Sequence, residues 1–390
     1  MVIVFWVSSA LIAQTYVVFP LVALLRGRLR PRPVLAADIT PSVSVVIAAH
    51  DEAEGIEAKL RSVFDADYPA ELLEVLVASD GSTDGTPEEA ARDERVRVMV
   101  LSRVGKAAAL NEAIAAASGD VVVFTDANSR FAPDALRRLV RPFADPAVGG
   151  VAGDQRYEPP LGAATVHGTA SGEQRYWNFD RLLKKAESAG GSVIGATGAL
   201  YAVRRDLICP VPDGVTDDFT TSTGVIEQGR RLVFAGDATV YEAVAATADA
   251  EFRRKVRVMT RGLQAVVYRR RLLDPRHHGF YAYQLFNHKV LRRVMGIPLL
   301  AFLVASLGAA GRGRLYRLAL VAQLAVYVPG LVTLANPDSR IGRSRLGGVA
   351  GYFCLVNASG IVATANVLAG RRIDRWEPER QHSMEREKVR

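Results

Sequence analysis

Cysteine is scarce in this sequence, because its 390 residues include only Cys209 and Cys354. Two cysteines cannot build a disulfide framework or a cysteine-based zinc site, so both kinds of stabilised small domain are excluded. Charge is missing from one long stretch, since no Asp, Glu, Lys or Arg occurs from Val2 to Leu25. No internal repeat or low-complexity segment is evident. The length suits one large domain with membrane segments, or two domains.

The uncharged stretch from Val2 to Leu25 is long enough to span a bilayer, since about 20 apolar residues suffice. Four arginines follow it between residues 26 and 32. By the positive-inside rule, the residues after them are expected in the cytoplasm. A cleaved signal peptide is the alternative, with 35–37 as a cleavage-like sequence, but it would need a basic start and a shorter apolar core. We therefore favour an N-terminal membrane helix over residues 1–30.

Basic residues outnumber acidic ones, 49 to 41, which gives a formal net charge of +8. This balance suits phosphate-bearing ligands, an anionic membrane surface or nucleic acid. Composition alone does not choose among these three.

Alternating strands and helices are predicted between Val43 and Asp126. Four valine-rich runs have the pattern of strands buried on both faces of a parallel sheet, and helical patterns separate them. This order predicts a doubly wound α/β sheet with right-handed crossovers. Ligands of such sheets bind beyond the carboxyl ends of the strands. Polar residues follow all four runs, in the sequences His50-Asp51-Glu52, Asp80-Gly81-Ser82, Ser102-Arg103 and Asp126-Ala127-Asn128.

Several residues at these strand ends have side chains suited to holding a nucleotide. Asp80 directly follows a valine-rich strand and can accept hydrogen bonds from a base or ribose, and Glu52 is a site candidate because it lies at a strand end. Lys106 begins a predicted helix, where a positive charge opposes the helix dipole, and this favours a ligand role. Asp126 can bind a hard cation that bridges a diphosphate, and Asn128 can add a neutral oxygen. An Asx turn is the alternative interpretation of the Asp126–Asn128 segment.

At these motifs the chain resembles the processive branch of the family 2 glycosyltransferases, which includes cellulose, hyaluronan and poly-N-acetylglucosamine synthases. The resemblance is carried by the segments PSVSVVIAAHDE, ASDGSTDGT, GKAAALNEA and FTDAN, and it continues through GATGALYAVRR, TDDF and FNHK. It implies a GT-A fold, a nucleotide-sugar donor, Mg²⁺ or Mn²⁺ as cofactor, and inversion of the anomeric centre.

The same resemblance implies roles for residues of the donor site. Glu52 and Asp80 would contact the base and ribose, and Lys106 would lie near the nucleotide. Asp126 would hold the metal and the diphosphate. Asn128 stands where the family usually has the second Asp of its Asp-x-Asp motif, so it would be a neutral metal ligand.

The acceptor side is expected at Thr216-Asp217-Asp218, which stands where the family has Thr-Glu-Asp. Asp218 falls on the position of the catalytic base, and Asp217 would contact the acceptor. A positioned carboxylate can remove the proton of an acceptor hydroxyl as that hydroxyl attacks the anomeric carbon. From the residues alone, the two acids have an alternative interpretation as an N-cap pair of a helix beginning near Thr220.

The family motif Gln-x-x-Arg-Trp is incomplete in this chain. Arg254 replaces the Gln and Val258 replaces the Trp, while Arg257 matches the Arg and is implied to be a diphosphate ligand. The Trp helps to seat the acceptor sugar in the family, so we expect short products or a single transfer unless another aromatic contacts the acceptor, for which Tyr201 and Trp177 are candidates. A basic helix on anionic lipid is the alternative interpretation of this segment.

Three apolar stretches follow, at Met295–Ala310, Leu315–Ala335 and Leu346–Gly370. The first is short and contains Pro298, which favours a re-entrant or interfacial segment. If it does not span, the arginine-containing tail lies on the same side as the catalytic domain, as the positive-inside rule requires. The family resemblance would also allow three spans.

We therefore predict a multi-pass inner-membrane protein with an N-terminal membrane helix and a cytoplasmic GT-A catalytic domain at 41–275. An interfacial helix region at 276–294, membrane helices within 295–370 and a polar tail at 371–390 follow. The expected activity is inverting transfer from a UDP-sugar to a growing cell-surface polysaccharide. A single-transfer enzyme making a glycolipid and a nucleotide-sugar-binding subunit of an export complex are the alternatives. The expected partners are the donor, a saccharide or lipid-linked acceptor, membrane lipids and export subunits, but no nucleic acid.

Overall fold

The computed structural model describes residues 1–158, 169–243 and 248–371. Eight strands in these residues form a single sheet. They are β1 (Val43–Ala49), β2 (Leu73–Asp80), β3 (Val96–Leu101), β4 (Val121–Asp126), β5 (Arg130–Phe131), β6 (Val148–Glu158), β7 (Tyr201–Arg204) and β8 (Arg231–Ala243).

Helices cover both faces of the sheet and extend away from it at the two ends of the chain. The first nine are α1 (Val2–Ala13), α2 (Phe19–Leu29), α3 (Ala53–Phe64), α4 (Thr86–Ala90), α5 (Lys106–Ala116), α6 (Ala135–Val140), α7 (Thr169–Gly190), α8 (Asp217–Glu227) and α9 (Ala248–Tyr268). The others are α10 (Pro275–His278), α11 (Phe280–Leu285), α12 (Arg292–Val294), α13 (Gly296–Ala309), α14 (Arg314–Ala335) and α15 (Arg345–Leu368).

The sheet has the strand order β3-β2-β1-β4-β7-β6-β8-β5. Its first four strands pair in parallel, and α3, α4 and α5 connect them in chain order, which confirms the predicted α/β class. The other half is mixed, because β7 runs antiparallel to both β4 and β6, while β6 and β8 run parallel. This mixed half was not predicted, since its short central strand β7 has only four residues.

Strand β1 explains the continuous apolar run in the sequence. All seven of its residues are buried, and successive side chains point to opposite faces of the sheet. Val45 and Ile47 belong to the core cluster that includes residues of α3 and α6. Val46 and Ala48 belong to the cluster on the other face, with residues of α5 and α8. A strand with a core on each side has no polar face, so its sequence does not alternate.

Three helices in the described residues are long and apolar enough to cross a membrane: Val2–Leu29, Arg314–Ala335 and Arg345–Leu368. The first consists of α1 and α2 joined through a π-helical turn. Helix α13 has 14 residues and would be about 21 Å long, shorter than a hydrocarbon core of about 30 Å. It is bent by 59° from the preceding helical segment Phe280–Val294. Of the predicted tail, only Arg371 is within the described residues.

The N-terminal helix packs against the catalytic half of the chain through α7. A Cβ atom on Gly27 of α2 would lie 2.6 Å from the carbonyl oxygen of Ala186 in α7 and 3.1 Å from its Cα. Shortly after α2, the backbone N–H of Arg32 donates to the carbonyl of Ala189 at 2.7 Å. The two helices therefore meet backbone to backbone, and glycine makes that approach possible.

We predict that Gly27→Ala destabilises the protein by on the order of 1–3 kcal/mol, because the added methyl forces α2 away from α7. The matched control is Gly55→Ala in α3, where an added Cβ would meet no atom within 4 Å. That control should be neutral or stabilising by up to about 1 kcal/mol, since alanine is the better helix former. Thermal unfolding of both variants in detergent measures the difference. Equal stability of the two variants would show that the packing of α2 on α7 does not require glycine.

Candidate active site

The loops after β1 and β2 hold each other in place at the carboxyl edge of the sheet. Asp51 follows β1 with a φ of 53°, a left-handed backbone that few non-glycine residues adopt. Its carboxylate accepts a hydrogen bond from the N–H of Thr83 at 2.7 Å, and its own N–H donates to the Ser82 hydroxyl at 3.1 Å. The N–H of the next residue, Glu52, donates to the Thr86 hydroxyl at 2.8 Å. Glu52 and Asp80 are thereby brought to one edge, as predicted.

Asp80 organises the loop that precedes Lys106. Its side chain accepts hydrogen bonds from the N–H groups of Val104 at 2.7 Å and Gly105 at 2.9 Å, and the residue is only 2% exposed. Gly105 has a φ of 92°, which favours glycine. In this structure the Asp80 carboxylate therefore fixes the start of α5. Its predicted contact with a base or ribose stays a prediction.

Lys106 joins the donor and acceptor sides of the site. Its Nζ lies 2.9 Å from Oδ1 of Asp126, at the end of β4, and 3.3 Å from Oδ2 of Asp217, at the start of α8. Burial lowers the pKa of Lys106, but Asp126 and Asp217 raise it by more, so the net shift is upward and the ammonium stays charged. The Lys106 side chain thus brings together two other residues that the sequence analysis predicted for the site, Asp126 and Asp217.

A buried lysine that the sequence analysis did not identify donates hydrogen bonds to both flanks of the turn Asp126-Ala127-Asn128. Lys59 of α3 is 1% exposed, and its Nζ donates to the hydroxyls of Thr125 at 2.5 Å and Ser129 at 3.0 Å. These two residues flank the turn, and the Thr125 hydroxyl also donates to the Ala199 carbonyl at 2.7 Å. Hydrogen bonds on both flanks therefore fix the backbone that presents Asp126.

Negative charge is in excess around Asp126. Burial and then the nearby Asp126 carboxylate raise the pKa of Glu52 to about 7. The same two causes raise the pKa of Glu242, a β8 residue that the sequence analysis missed, to about 7. A divalent cation would relieve this repulsion, and the carboxylate of Asp126 and the amide oxygen of Asn128 are ligands of the hard type that Mg²⁺ and Mn²⁺ prefer.

These residues suit a metal site that a bound ligand completes, rather than one formed by protein side chains alone. Within the described parts of the chain, no three His, Cys, Asp or Glu side chains lie close enough together to hold an ion. A cation at Asp126 would therefore need ligands from a donor diphosphate and from water in addition to those of the protein, as Mg²⁺ commonly has in nucleotide sites.

The pair Asp217 and Asp218 occupies the first turn of α8, where negative charge is favourable for the helix dipole. Oδ1 of Asp218 accepts a hydrogen bond from the N–H of Phe219 at 2.6 Å. Burial and the adjacent Asp217 raise the pKa of Asp218, while Lys289 opposes this shift. The adjacency of two carboxylates leads to the same expectation from sequence. A raised pKa brings a carboxylate closer to the range in which it can act as a general base near neutral pH.

Lys289 reaches the acid pair from the segment after α11, and the sequence analysis gave it no role. Its Nζ lies 4.7 Å from the centre of the Phe219 ring. A Cβ on Gly195 would be 2.9 Å from that ring and 3.8 Å from the ammonium, so a glycine lets the three groups pack closely. The pKa of Lys289 is lowered to about 7 by burial and by Arg293. The only sequence signal was its place in the segment FNHK.

Helix α9 carries the incomplete family motif along one side of the site. Arg254 pairs with Glu251 at 2.7 Å, and a guanidinium nitrogen of Arg261 donates to the Val215 carbonyl at 2.7 Å, just before the acid pair. Val258 is 42% exposed. Arg257 is half-buried on the same helix. Its predicted contact with a diphosphate stays a prediction.

The two aromatic residues predicted to contact an acceptor, Tyr201 and Trp177, differ in how accessible their rings are. Tyr201 is 1% exposed and stacks on Phe124 with ring centres 4.7 Å apart, so its ring is not available to a sugar in this structure. Trp177 is half-buried and lines a small cavity with Gln155 and Asp180. The geometry therefore argues against sugar stacking on Tyr201, and Trp177 stays the candidate.

Fold and site together define an α/β domain that gathers carboxylates and a lysine where such sheets bind nucleotides. Residues 44–208 match the model of the family described as Glycosyl transferase family 2. The chain therefore carries a family 2 glycosyltransferase domain of the GT-A fold, which confirms the resemblance seen in its motifs.

Similar proteins come from bacteria and an archaeon. A poly-beta-1,6-N-acetyl-D-glucosamine synthase of Staphylococcus aureus is 25% identical over 242 residues, which are 60% of this chain and 57% of that protein. The chain thus spans 57% of the length of that relative. A beta-monoglucosyldiacylglycerol synthase of Synechocystis sp. is 34% identical over 130 residues, covering 30% of this chain and 27% of that protein.

Among solved structures, a mannosyltransferase of Pyrobaculum calidifontis in complex with GDP-Man and Mn²⁺ superimposes with a TM-score of 0.72 and 26% identity. The match covers 95% of this chain and 100% of that one. It therefore includes the apolar helices as well as the catalytic domain.

Proposed function

We propose that this protein is a membrane-embedded inverting glycosyltransferase that moves a sugar from a nucleoside-diphosphate sugar to an acceptor hydroxyl. The observation that carries the proposal is the bridge of Lys106 between Asp126 and Asp217. The bridge supports the proposal because it joins Asp126, on the predicted diphosphate side, to Asp217, the neighbour of the predicted base Asp218. A transferase of this class needs the leaving group and the base close to one anomeric carbon.

On the donor side, Asp126 and Asn128 would hold Mg²⁺ or Mn²⁺. When bound, the cation would neutralise the charge that develops on the leaving diphosphate. Glu52 and Asp80 would orient the base and ribose, and Arg257 would add a positive charge at the diphosphate. The motif resemblance favours a UDP-sugar. The similarity to a structure with GDP-Man makes GDP-mannose the second donor to test.

On the acceptor side, Asp218 would take the proton of the attacking hydroxyl, and Asp217 would help to orient the acceptor. The Lys106 ammonium pairs with Asp217 at 3.3 Å, and the Lys289 ammonium lies over the ring of Phe219, the residue after Asp218. Both ammonium groups favour the ionised form of Asp218, which is the form that accepts a proton.

The membrane setting is supported by the three helices that are long and apolar enough to span. The arginines that follow the first helix, together with the positive-inside rule, favour a cytoplasmic catalytic domain in the inner membrane. Helix α15 packs on α7 and α9, so the helix that carries the incomplete motif lies against a candidate span. A lipid-linked or membrane-bound saccharide would reach the acid pair from this side.

Two acceptors fit this site, a growing polysaccharide and a lipid that receives one sugar. The similarity to the poly-N-acetylglucosamine synthase supports the first. The exposed Val258 and the burial of the Tyr201 ring favour the second. The mass of the product separates a polymerase from a single-transfer enzyme.

We predict that Asp218→Asn leaves donor binding nearly intact and lowers the transfer rate by ~100-fold or more, the scale of lost acid–base catalysis. Asparagine keeps the size and hydrogen bonding of the side chain but removes the basic oxygen. The control is Asp217→Asn, which should cost less. Donor binding is followed by calorimetry and transfer by release of the nucleoside diphosphate. If Asp217→Asn is inactive while Asp218→Asn transfers normally, the base is the other residue of the pair; if both transfer normally, the mechanism is wrong.

A second prediction concerns the pH dependence of transfer. The base must be deprotonated, so the rate should fall as the pH drops through the raised pKa of Asp218. Lys289 lowers that pKa and carries its charge in the acid range, because its own pKa is about 7. Lys289→Met should therefore move the acid limb of the rate profile to higher pH. Lys185→Met, an exposed lysine of α7, is the control and should not move it. An unchanged acid limb in Lys289→Met would contradict the electrostatic link to Asp218.

A further inference from the structure

The turn after β4 offers a cation only one carboxylate. Asp126 supplies that carboxylate, whereas the neutral amide of Asn128 cannot supply a second one. The turn is also fixed, because Lys59 binds the hydroxyls of Thr125 and Ser129 on its two flanks. A second carboxylate for this site must therefore come from another part of the chain.

Glu242 of β8 is brought to the turn by strand pairing. Strand β5 begins two residues after Asn128 and runs antiparallel to β8, with Arg130 opposite Tyr241. Continuing this antiparallel register by one residue brings Glu242 beside Ser129, at the end of the turn. This backbone pairing fixes the position of Glu242, although 114 residues separate it from Asn128.

The side chain of Glu242 contacts the amide of Asn128 directly. Nδ2 of Asn128 donates to Oε1 of Glu242 at 3.3 Å, and Nε2 of Gln155 on β6 donates to Oε2. The hydrogen bond occupies the nitrogen of the Asn128 amide and leaves its oxygen as the group for a hard cation. Two amide donors hold the Glu242 carboxylate, and each of its oxygens keeps a further lone pair.

We propose that Glu242 supplies the second carboxylate of the divalent-cation site, in place of the acid that the Asp-Ala-Asn turn lacks. The cation would then bind between Asp126, the Asn128 amide oxygen and Glu242, with oxygen ligands throughout. This inference rests on the proposed function, because the cation is the one that holds the donor diphosphate. It also accounts for a half-buried carboxylate on a separate strand beside the neutral residue at position 128.

The test is a titration of Mn²⁺ into the purified full-length protein with UDP, and separately with GDP, followed by the EPR signal of free Mn²⁺. Glu242→Gln keeps the shape and a hydrogen-bond acceptor but removes the charge, and should weaken Mn²⁺ binding by roughly 10–100-fold. Adding Asn128→Asp to Glu242→Gln returns a carboxylate to the turn and should restore most of the affinity. Glu112→Gln, an exposed acid of α5, is the control for a general loss of negative charge. Thermal unfolding of each variant confirms that it is folded.

The outcomes separate this inference from the proposed function. Wild-type protein that binds Mn²⁺, with an unchanged affinity in Glu242→Gln, overturns only the role of Glu242. Weakened binding that Asn128→Asp does not restore in a folded double variant also overturns it, because Glu242 then acts as a structural partner of the amides. Wild-type protein that binds no Mn²⁺ with either nucleotide overturns both the inference and the metal-dependent function.

Discussion

The candidate site depends on one largely buried positive charge, the ammonium of Lys106, whose side chain is 15% exposed. Carboxylates from β4 and α8 approach each other at the sheet edge, and charges removed from water are costly unless they are paired. Lys106 pairs with Asp126 and Asp217 at once and so allows the two elements to meet. The position of Lys106 is set in turn by Asp80, whose carboxylate holds the two N–H groups that precede α5. The loops of the parallel half are thus arranged around a single ion-pair cluster.

The two halves of the sheet contribute different parts of this cluster. The parallel half provides Asp80, Lys106 and Asp126 at the ends of its strands, and Lys59 secures the last of these turns from beneath. The mixed half provides Glu242 through the pairing of β5 with β8. Chain segments outside the sheet complete the acceptor side, since α8 bears the acid pair and the segment after α11 places Lys289 over Phe219. The segment after α11 therefore carries a charge that lowers the pKa of the acid proposed as the base.

The sequence was informative where function follows from local pattern. Buried parallel strands produce continuous valine-rich runs, and their carboxyl ends share an edge, so the sequence predicts that Glu52, Asp80 and Asp126 lie at one edge of the sheet. Contacts between distant segments left no such pattern. Lys59 reaches Thr125 across 66 residues and sits inside an ordinary amphipathic helix, where a lysine is expected on the surface. Glu242 depends on the register of two strands, and the burial of Tyr201 depends on a sheet whose mixed half was not predicted. These features are set by tertiary packing, which single-residue preferences do not encode.

The central claim is that the gathered carboxylates and lysine catalyse sugar transfer, and turnover of nucleotide sugars tests it most directly. Purified protein in nanodiscs, with Mn²⁺ and a membrane lipid extract as acceptor, is incubated separately with UDP-glucose, UDP-N-acetylglucosamine and GDP-mannose. The account predicts that at least one donor releases its nucleoside diphosphate in a Mn²⁺-dependent reaction, with a product heavier by one or more sugar units. Binding of the nucleotides with no release and no product from any donor would contradict it, and would favour a nucleotide-sugar-binding subunit instead.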